Sequence, residues 1–346
     1  MPNIPQNIPV TIVGSYVQPD WLIDREKFHS LAPPRVRAKN IWKIDEEFLE
    51  AAQDAATLAA IRDFELAGLD IIGDGEIRRE SYSNRFATAL DGVNVDVPGV
   101  VRGRSGNPLS VPRVVGPIAR QKSVQKRDVT FLRSATKKPI KITVPGPFTL
   151  AAQVVDEYYG DQEACAMAFA DAVNEEIRDL FQAGADIVQL DEPWMEAWPD
   201  KADDFAVTAV NRALKGIEGT TAIHLCFGYA FSVKSKPTGY SFLEALNDAN
   251  VDIVSVEAAQ PGLDLSVLKG LASKRIMLGV LDLGDMSVET SDLVASRVRA
   301  ALKVISPDRL IVAPDCGMKY MPQPVAFRKL ESMVAGVEIV RREIGI

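Results

Sequence analysis

Asp186-Ile187-Val188-Gln189-Leu190-Asp191 is a short, nearly continuous apolar run, followed at once by Glu192-Pro193. Alone it would suit either a buried strand or a piece of helix. Its recurrence decides between them. Comparable runs occupy residues 8–14, 69–74, 139–145, 221–226, 251–256, 275–281 and 309–314, making eight in all. They are rich in Val and Ile and barely alternate, as expected of parallel strands covered on both faces. Between them, 44–67, 161–184, 203–217, 241–248, 290–305 and 324–342 carry apolar residues at helical spacing. Eight strands alternating with helices predict an α/β fold, a (β/α)8 TIM barrel, with 1–346 as a single domain. A doubly wound sheet is the alternative, but no Gly-rich phosphate turn follows the first run.

Two long excursions interrupt the repeat, at about 16–43 and 87–125. The second alternates from Gly92 through Pro117 in the manner of a hairpin. On a barrel, insertions of this kind sit in loops and often shape a substrate mouth.

The 346 residues are 47% hydrophobic and 25% charged, with a net charge of −8, which predicts a soluble globular protein. The acidic balance argues against a general nucleic-acid or anionic-membrane binder. No apolar run is long enough to span a bilayer, and the N-terminus does not read as a signal peptide. Three cysteines in a chain of this size do not make a disulfide framework, so a cytoplasmic location is expected.

The chemistry-bearing residues fall where the runs end. His224 and Cys226 lie two apart in Ala222-Ile223-His224-Leu225-Cys226, which puts both on one face of a strand. Glu257 follows the sixth run and Cys316 the eighth. Two thiolates, one imidazole and one carboxylate make a four-ligand zinc set. Gly14-Ser15 follow the first run, Asp74-Gly75-Glu76 the second and Asp191-Glu192 the fourth. Barrel enzymes build their sites at that C-terminal rim.

Plainer readings stand beside these. Cys226 or Cys316 alone would suit a small buried hydrophobe, and Cys165 on a helical stretch reads as core. His29 reads as solvated in a polar loop. Asp191-Glu192 could cap a helix, and Asp74 and Glu76 could pair with Arg78, Arg79 or Arg85 in a structural rim network. Trp194 and Trp198 suit either packing or a pocket wall.

At these residues the chain resembles the C-terminal catalytic half of cobalamin-independent methionine synthase. The resemblance covers nearly the whole chain. It rests on Val13-Gly14-Ser15, Gly75-Glu76, Gly146-Pro147-Phe148-Thr149, Leu190-Asp191-Glu192-Pro193, His224-x-Cys226, Glu257 and Pro314-Asp315-Cys316-Gly317-Met318-Lys319. It implies a barrel with zinc (Zn2+) held by His224, Cys226, Glu257 and Cys316. It implies homocysteine held by Ser15, with Gly14 beside it, at its carboxylate and by Glu76 and Asp191 at its amine. The two acids would then serve catalysis by orienting the amino acid.

The pattern departs from the family on the methyl-donor side. Longer members carry an additional barrel that helps bind the glutamate tail of folate, and this chain matches only the catalytic one. The position of a stacking Trp falls at about Gln153. The family's proton-donor His falls in Leu281-Asp282-Leu283-Gly284, leaving Asp282 or Asp285 as substitutes, each needing a raised pKa. The resemblance therefore implies zinc-dependent S-methylation of homocysteine to methionine, with a donor other than a polyglutamylated folate. That donor would be a methylcorrinoid protein, a simple folate delivered by a partner protein, or another methylated small molecule. The alternatives are alkyl transfer to another thiol, as in epoxide:coenzyme M transferases, and a non-catalytic zinc- or thiol-binding homologue. A homo-oligomer is compatible with any of these.

Overall fold

The computed structural model describes residues 4–31, 33–103 and 108–346. All eight apolar runs are barrel staves. Six form one continuous parallel sheet: β3 (Lys141–Pro145), β5 (Ile187–Asp191), β6 (Thr220–Leu225), β7 (Ile253–Val256), β8 (Arg275–Gly279) and β9 (Leu310–Ala313). The first two runs close the ring through single parallel bridges, Val10 with Val312 and Ile72 with Ile140. The Thr11 amide donates to Val312 O at 2.9 Å and the Asp70 amide to Val10 O at 2.9 Å, so the run 8–14 lies between the last stave and the second.

Side-chain parity divides the core in two. Val188, Leu190, Ile223, Leu225, Val254 and Val256 join the large cluster packed under the helices. Their odd-numbered or alternate neighbours Ile187, Ala222, Ile253, Met277 and Ile311 form a separate cluster. That second set is the barrel interior, since successive residues of a strand face opposite ways. The near-continuous apolar runs thus follow from burial on both faces.

The outer layer contains α2 (Glu46–Ala67), α4 (Lys126–Ala135), α6 (Gln162–Gln182), α7 (Pro199–Ala213), α8 (Ser291–Ala301) and α9 (Gln323–Ile344), with short α1 (Arg25–Ser30), α3 (Asn84–Ala87) and α5 (Pro147–Ala152) in loops. Their ends follow local chemistry. The Asp161 carboxylate caps α6 by accepting the Glu163 amide at 3.2 Å, and Gly68 ends α2 in the left-handed region at φ 91°. The predicted helix at 241–248 is a 3-10 turn over Leu243–Asp248, and α4, which follows the second excursion, was not anticipated.

The second excursion is a hairpin of β1 (Asp91–Arg102) and β2 (Pro108–Ala119), antiparallel, with the two-residue β4 (Val155–Asp156) added alongside β2. Arg120 ties its return to α6 through Glu176 at 2.7 Å. The first excursion is strapped to the rim by Glu80, which is fully buried and accepts from Arg37 at 2.9 Å and from Trp42 Nε1 at 3.2 Å. Among the described residues, no helix is long and apolar enough to cross a membrane.

Candidate active site

Strand register sets the first row of the site. Asp191 is paired with His224, and His224 with Ser255, so three inward side chains stand abreast on β5, β6 and β7. Cys226 follows His224 by two and faces the same way, while Cys316 enters from the turn after β9. The ligand atoms of His224, Cys226 and Cys316 all lie within 4.8 Å of one another, and all three residues are buried. His224 Nδ1 is 2.9 Å from Ser255 Oγ, whereas its Nε2 is buried without a partner. With the proton on Nδ1, donated to Ser255, Nε2 offers a lone pair. The Cys226 thiol, and then burial, hold Cys316 protonated well above its ordinary range. Two crowded thiols and an orphaned buried imidazole nitrogen are the donor set that zinc takes, losing the thiol protons as it binds.

Glu257 lies beside this group but is not one of the three converging ligands. Its Oε1 accepts the Phe227 amide at 3.1 Å, and its Oε2 forms an ion pair with Lys236. Burial pushes the Glu257 carboxyl well up, against the pull of Lys236. Lys236 carries no sequence signal, because Ser235-Lys236-Pro237 reads as solvated loop. Asp315, the neighbour of Cys316, accepts the amides of Ala258 and Ala259 at 3.1 and 3.0 Å and of Gln260 at 2.6 Å. The turn after Glu257 is therefore locked to the turn that carries Cys316. Gly279 makes room, since a Cβ there would lie 2.2 Å from Asp315 Oδ1.

A small cavity of about 30 Å³ joins the three ligands to Gly14, Ser15, Glu76 and Asp191. Ser15 Oγ is 3.3 Å from the Tyr229 hydroxyl, and its carbonyl accepts the Met318 amide at 2.7 Å. Glu76 sits at φ 51° after Gly75 at φ 63°, a left-handed pair that turns its carboxylate inward. Glu76 Oε1 accepts from Thr143 Oγ1 at 3.0 Å, and Oε2 is buried without a partner. The suspected rim network is real for Asp74, which accepts from Arg79 Nη2 at 3.0 Å and from the Glu76 amide at 3.0 Å. Arg79 also donates to Thr143, and Lys319 holds the Arg79 carbonyl at 2.8 Å. Arg78 instead pairs closely with Asp54 and, at 3.6 Å, with Asp128, which Arg85 also engages. Asp74 thus supports the turn that aims Glu76.

Asp191 accepts from Gln189 at 2.8 Å, and Gln189 is held in turn by Lys141 at 2.7 Å. Burial, and then the Glu76 charge, push Asp191 up to about 7 against His224, Gln189 and Lys141. Two buried acids with an unused oxygen between them form a receptor for a cation such as an ammonium group. Glu192 is different. It accepts the Phe148 and Thr149 amides at 3.0 and 2.8 Å, so it caps α5 from the neighbouring stave.

A larger cavity of about 380 Å³ opens above Cys226 and Tyr229. Trp194, Tyr82 and Arg35 line it, as do Gly103, Pro108 and Leu109 of the hairpin, so the second excursion reaches the mouth of the site. Trp194 also packs edge-on against Trp198 at 4.6 Å. Gln153, at the position of the family's Trp, is buried and donates to the Tyr82 hydroxyl at 2.6 Å. Asp282 does not line either cavity, and its carboxylate accepts the Gly284 amide at 2.7 Å in a local turn. The backbone amide of Ser287, and then its side chain, hold Asp285 below its ordinary range, against a role as a proton donor. His29 is not solvated as expected. It packs on Phe231 at 4.8 Å and Tyr320 at 5.7 Å, partners over 200 residues away in sequence. Cys165 is core, as anticipated, on the buried face of α6.

Compared with known protein families, residues 9–338 match the catalytic domain of the cobalamin-independent synthases. The chain belongs to this family. A methionine synthase of Sulfurisphaera tokodaii is 32% identical over 339 residues, covering 97% of this chain and 94% of the relative. One of Thermococcus kodakarensis is 32% identical over 340 residues, covering 97% and 94%. Among solved structures, a B12-independent methionine synthase from a Shewanella species, in complex with selenomethionine, superposes with a TM-score of 0.89 at 34% identity, covering 97% of this chain and 98% of that one. A methyltransferase from Methanosarcina mazei shares the fold at 15% identity and a TM-score of 0.64. Of the motif positions, Val13, Gly14, Ser15, Glu76, Asp191, Pro193, His224, Cys226, Cys316 and Gly317 line one cavity, whereas residues 146–149, Glu257 and the segment at Asp282 do not.

Proposed function

We propose that this protein is a zinc-dependent thiol S-methyltransferase that converts homocysteine to methionine. One observation carries the reading. A single cavity has a soft-metal donor set, His224, Cys226 and Cys316, at one end and Ser15, Glu76 and Asp191 at the other. This is the functional-group layout of an amino acid with a thiol side chain. The Shewanella relative, which binds selenomethionine, supports the same layout.

Glu76 and Asp191 receive the amine, and the Ser15 and Tyr229 hydroxyls receive the carboxylate. Glu257 completes the ligand set as the harder, more displaceable member. Zinc bound there would supply a Lewis acid that keeps the substrate sulfur as thiolate near neutral pH. The residues around it orient that sulfur for in-line attack on the methyl carbon. A sulfur–carbon bond forms, the donor–carbon bond breaks, and the electron pair leaves with the donor. The donor approaches through the 380 Å³ cavity beneath the hairpin. It is a methyl donor other than a polyglutamylated folate, with a methylcorrinoid as the leading class. A corrinoid leaving group needs no proton, which fits a cavity whose described lining includes neither Asp282 nor Asp285.

The test is methionine formation, by mass spectrometry, from homocysteine and zinc-loaded protein with isotopically labelled methylcobalamin or methyltetrahydrofolate supplied separately. Labelled methionine from methylcobalamin is the expected result. Zinc-loaded protein that yields no methionine from either donor would refute the reading.

A further inference from the structure

The loop between Phe227 and Tyr240 carries a feature that homocysteine methylation does not explain. Lys234, Ser235, Pro237 and Thr238 are exposed, yet the side chain of Lys236 in their midst is only 1% exposed. Its ammonium reaches Glu257, which is 0% exposed. Both ends of the loop are fixed around the same residue. The Phe227 amide donates to Glu257 Oε1 at 3.1 Å, and the Tyr240 hydroxyl accepts the Glu257 amide at 2.7 Å. A solvated loop has thus been anchored so that one cation enters a buried site containing two thiols and a carboxylate.

A buried ion pair gains little stability over an apolar pair, because both charges lose their water. Breaking one partner away is costly, since the other is left buried and unpaired. Lys236 and a bound divalent ion seek the same carboxylate. We propose that Lys236 is a positioning residue that competes with the metal for Glu257, giving the fourth ligand a second resting place within the protein. The inference rests on the metal-centre reading above and adds the control of its fourth ligand. Were the thiol substrate to displace Glu257 from a bound metal, Lys236 and the Phe227 amide would be in place to receive the carboxylate. In the metal-free protein the same contacts hold the pocket's charge.

The two cations make opposite demands, so removing one strengthens the grip of the other. Zinc affinity of Lys236→Met, measured by competition with a chromophoric chelator, is expected to rise by about tenfold or more over wild type. The cobalt-substituted variant should show a smaller change in its visible spectrum on adding homocysteine, because Glu257 no longer has a place to go. Lys236→Arg should behave like wild type, and Lys236→Gln serves if the methionine variant does not fold. The decisive comparison is in the Glu257→Gln background. There, removing Lys236 is expected to leave zinc affinity unchanged, because the residue acts through the carboxylate. An equal rise in both backgrounds would mean simple repulsion between Lys236 and the metal, and would overturn the proposal. Unchanged or weaker zinc binding in the single variant would also overturn it. Wild-type protein that binds no zinc would instead remove the metal-centre reading itself.

Discussion

Ser255→Ala tests whether the barrel register, and not the ligands alone, makes the metal site. Ser255 is 1% exposed, and its hydroxyl is 2.9 Å from His224 Nδ1. Without it, Nδ1–H has no acceptor, and the imidazole gains nothing from keeping its proton on the side away from the thiols. Losing one buried neutral hydrogen bond costs the metal-free fold about 0.5–1.5 kcal/mol. Loss of an outer contact to a ligating histidine typically weakens metal binding by about 10- to 100-fold, or about 1.4–2.7 kcal/mol. Zinc competition with a chromophoric chelator measures that difference, and urea unfolding of the metal-free protein measures the first. Nitrogen NMR reports the tautomer directly, since the chain has only two histidines and His29 serves as the internal control. Ser255→Thr, which keeps the hydroxyl, should restore most of the affinity. Zinc affinity in Ser255→Ala within twofold of wild type, with the tautomer unchanged, would refute the reasoning.

Gly14→Ala should damage the amine site without touching the metal, because the new Cβ would lie 2.5 Å from Glu76 Oε1 and 3.3 Å from Thr143 Cγ2. We expect KM for homocysteine to rise by about tenfold, as for loss of one charged contact, with zinc content unchanged. An unchanged KM would count against Glu76 as an amine ligand. Cys316→Ala should abolish stoichiometric zinc binding and methyl transfer while circular dichroism stays native, as the residue lies in a turn beyond β9. Retained turnover would count against the ligand set. Lys319→Met tests the support beneath Glu76 through pH. Burial, opposed by Glu76 and reinforced by Arg79, holds Lys319 down at about 8. An unfolded lysine titrates near 10.4, so between those values the unfolded chain binds more protons and stability rises with pH. The lysine's contribution is lost as pH falls through about 8. The stability of wild type relative to Lys319→Met, from urea unfolding, should therefore grow from pH 8 towards pH 10, whereas a flat difference would contradict the burial argument.

Much of this molecule is written locally. The eight apolar runs are staves because strands buried on both faces need continuous Val and Ile, a signal carried within six or seven residues. His224 and Cys226 share a face because strand parity is a property of adjacent residues. Gly14, Ser15, Glu76, Asp191 and Cys316 were legible because they follow staves, and in a closed barrel stave ends converge. The hairpin at 87–125 was legible as alternation, though not its reach to the cavity mouth.

What the sequence could not carry are contacts made across the barrel by residues with no local mark. Ser255 is one polar residue in an apolar stave until register sets it beside His224. Lys236 looks like an ordinary loop charge until the fold buries it against Glu257, and Asp315, though inside the motif around Cys316, gives no local sign of the three backbone amides it accepts. Asp282 and His29 read wrongly or weakly for the same reason, since a local turn claims the first and distant aromatic rings half-cover the second. Sequence determined the staves, the parity of their side chains and the candidacy of His224, Cys226 and Cys316, the three donors that converge. Tertiary structure decided which charges lost their water and which partners answered them, because desolvation depends on everything that packs around a group and not on its neighbours in the chain.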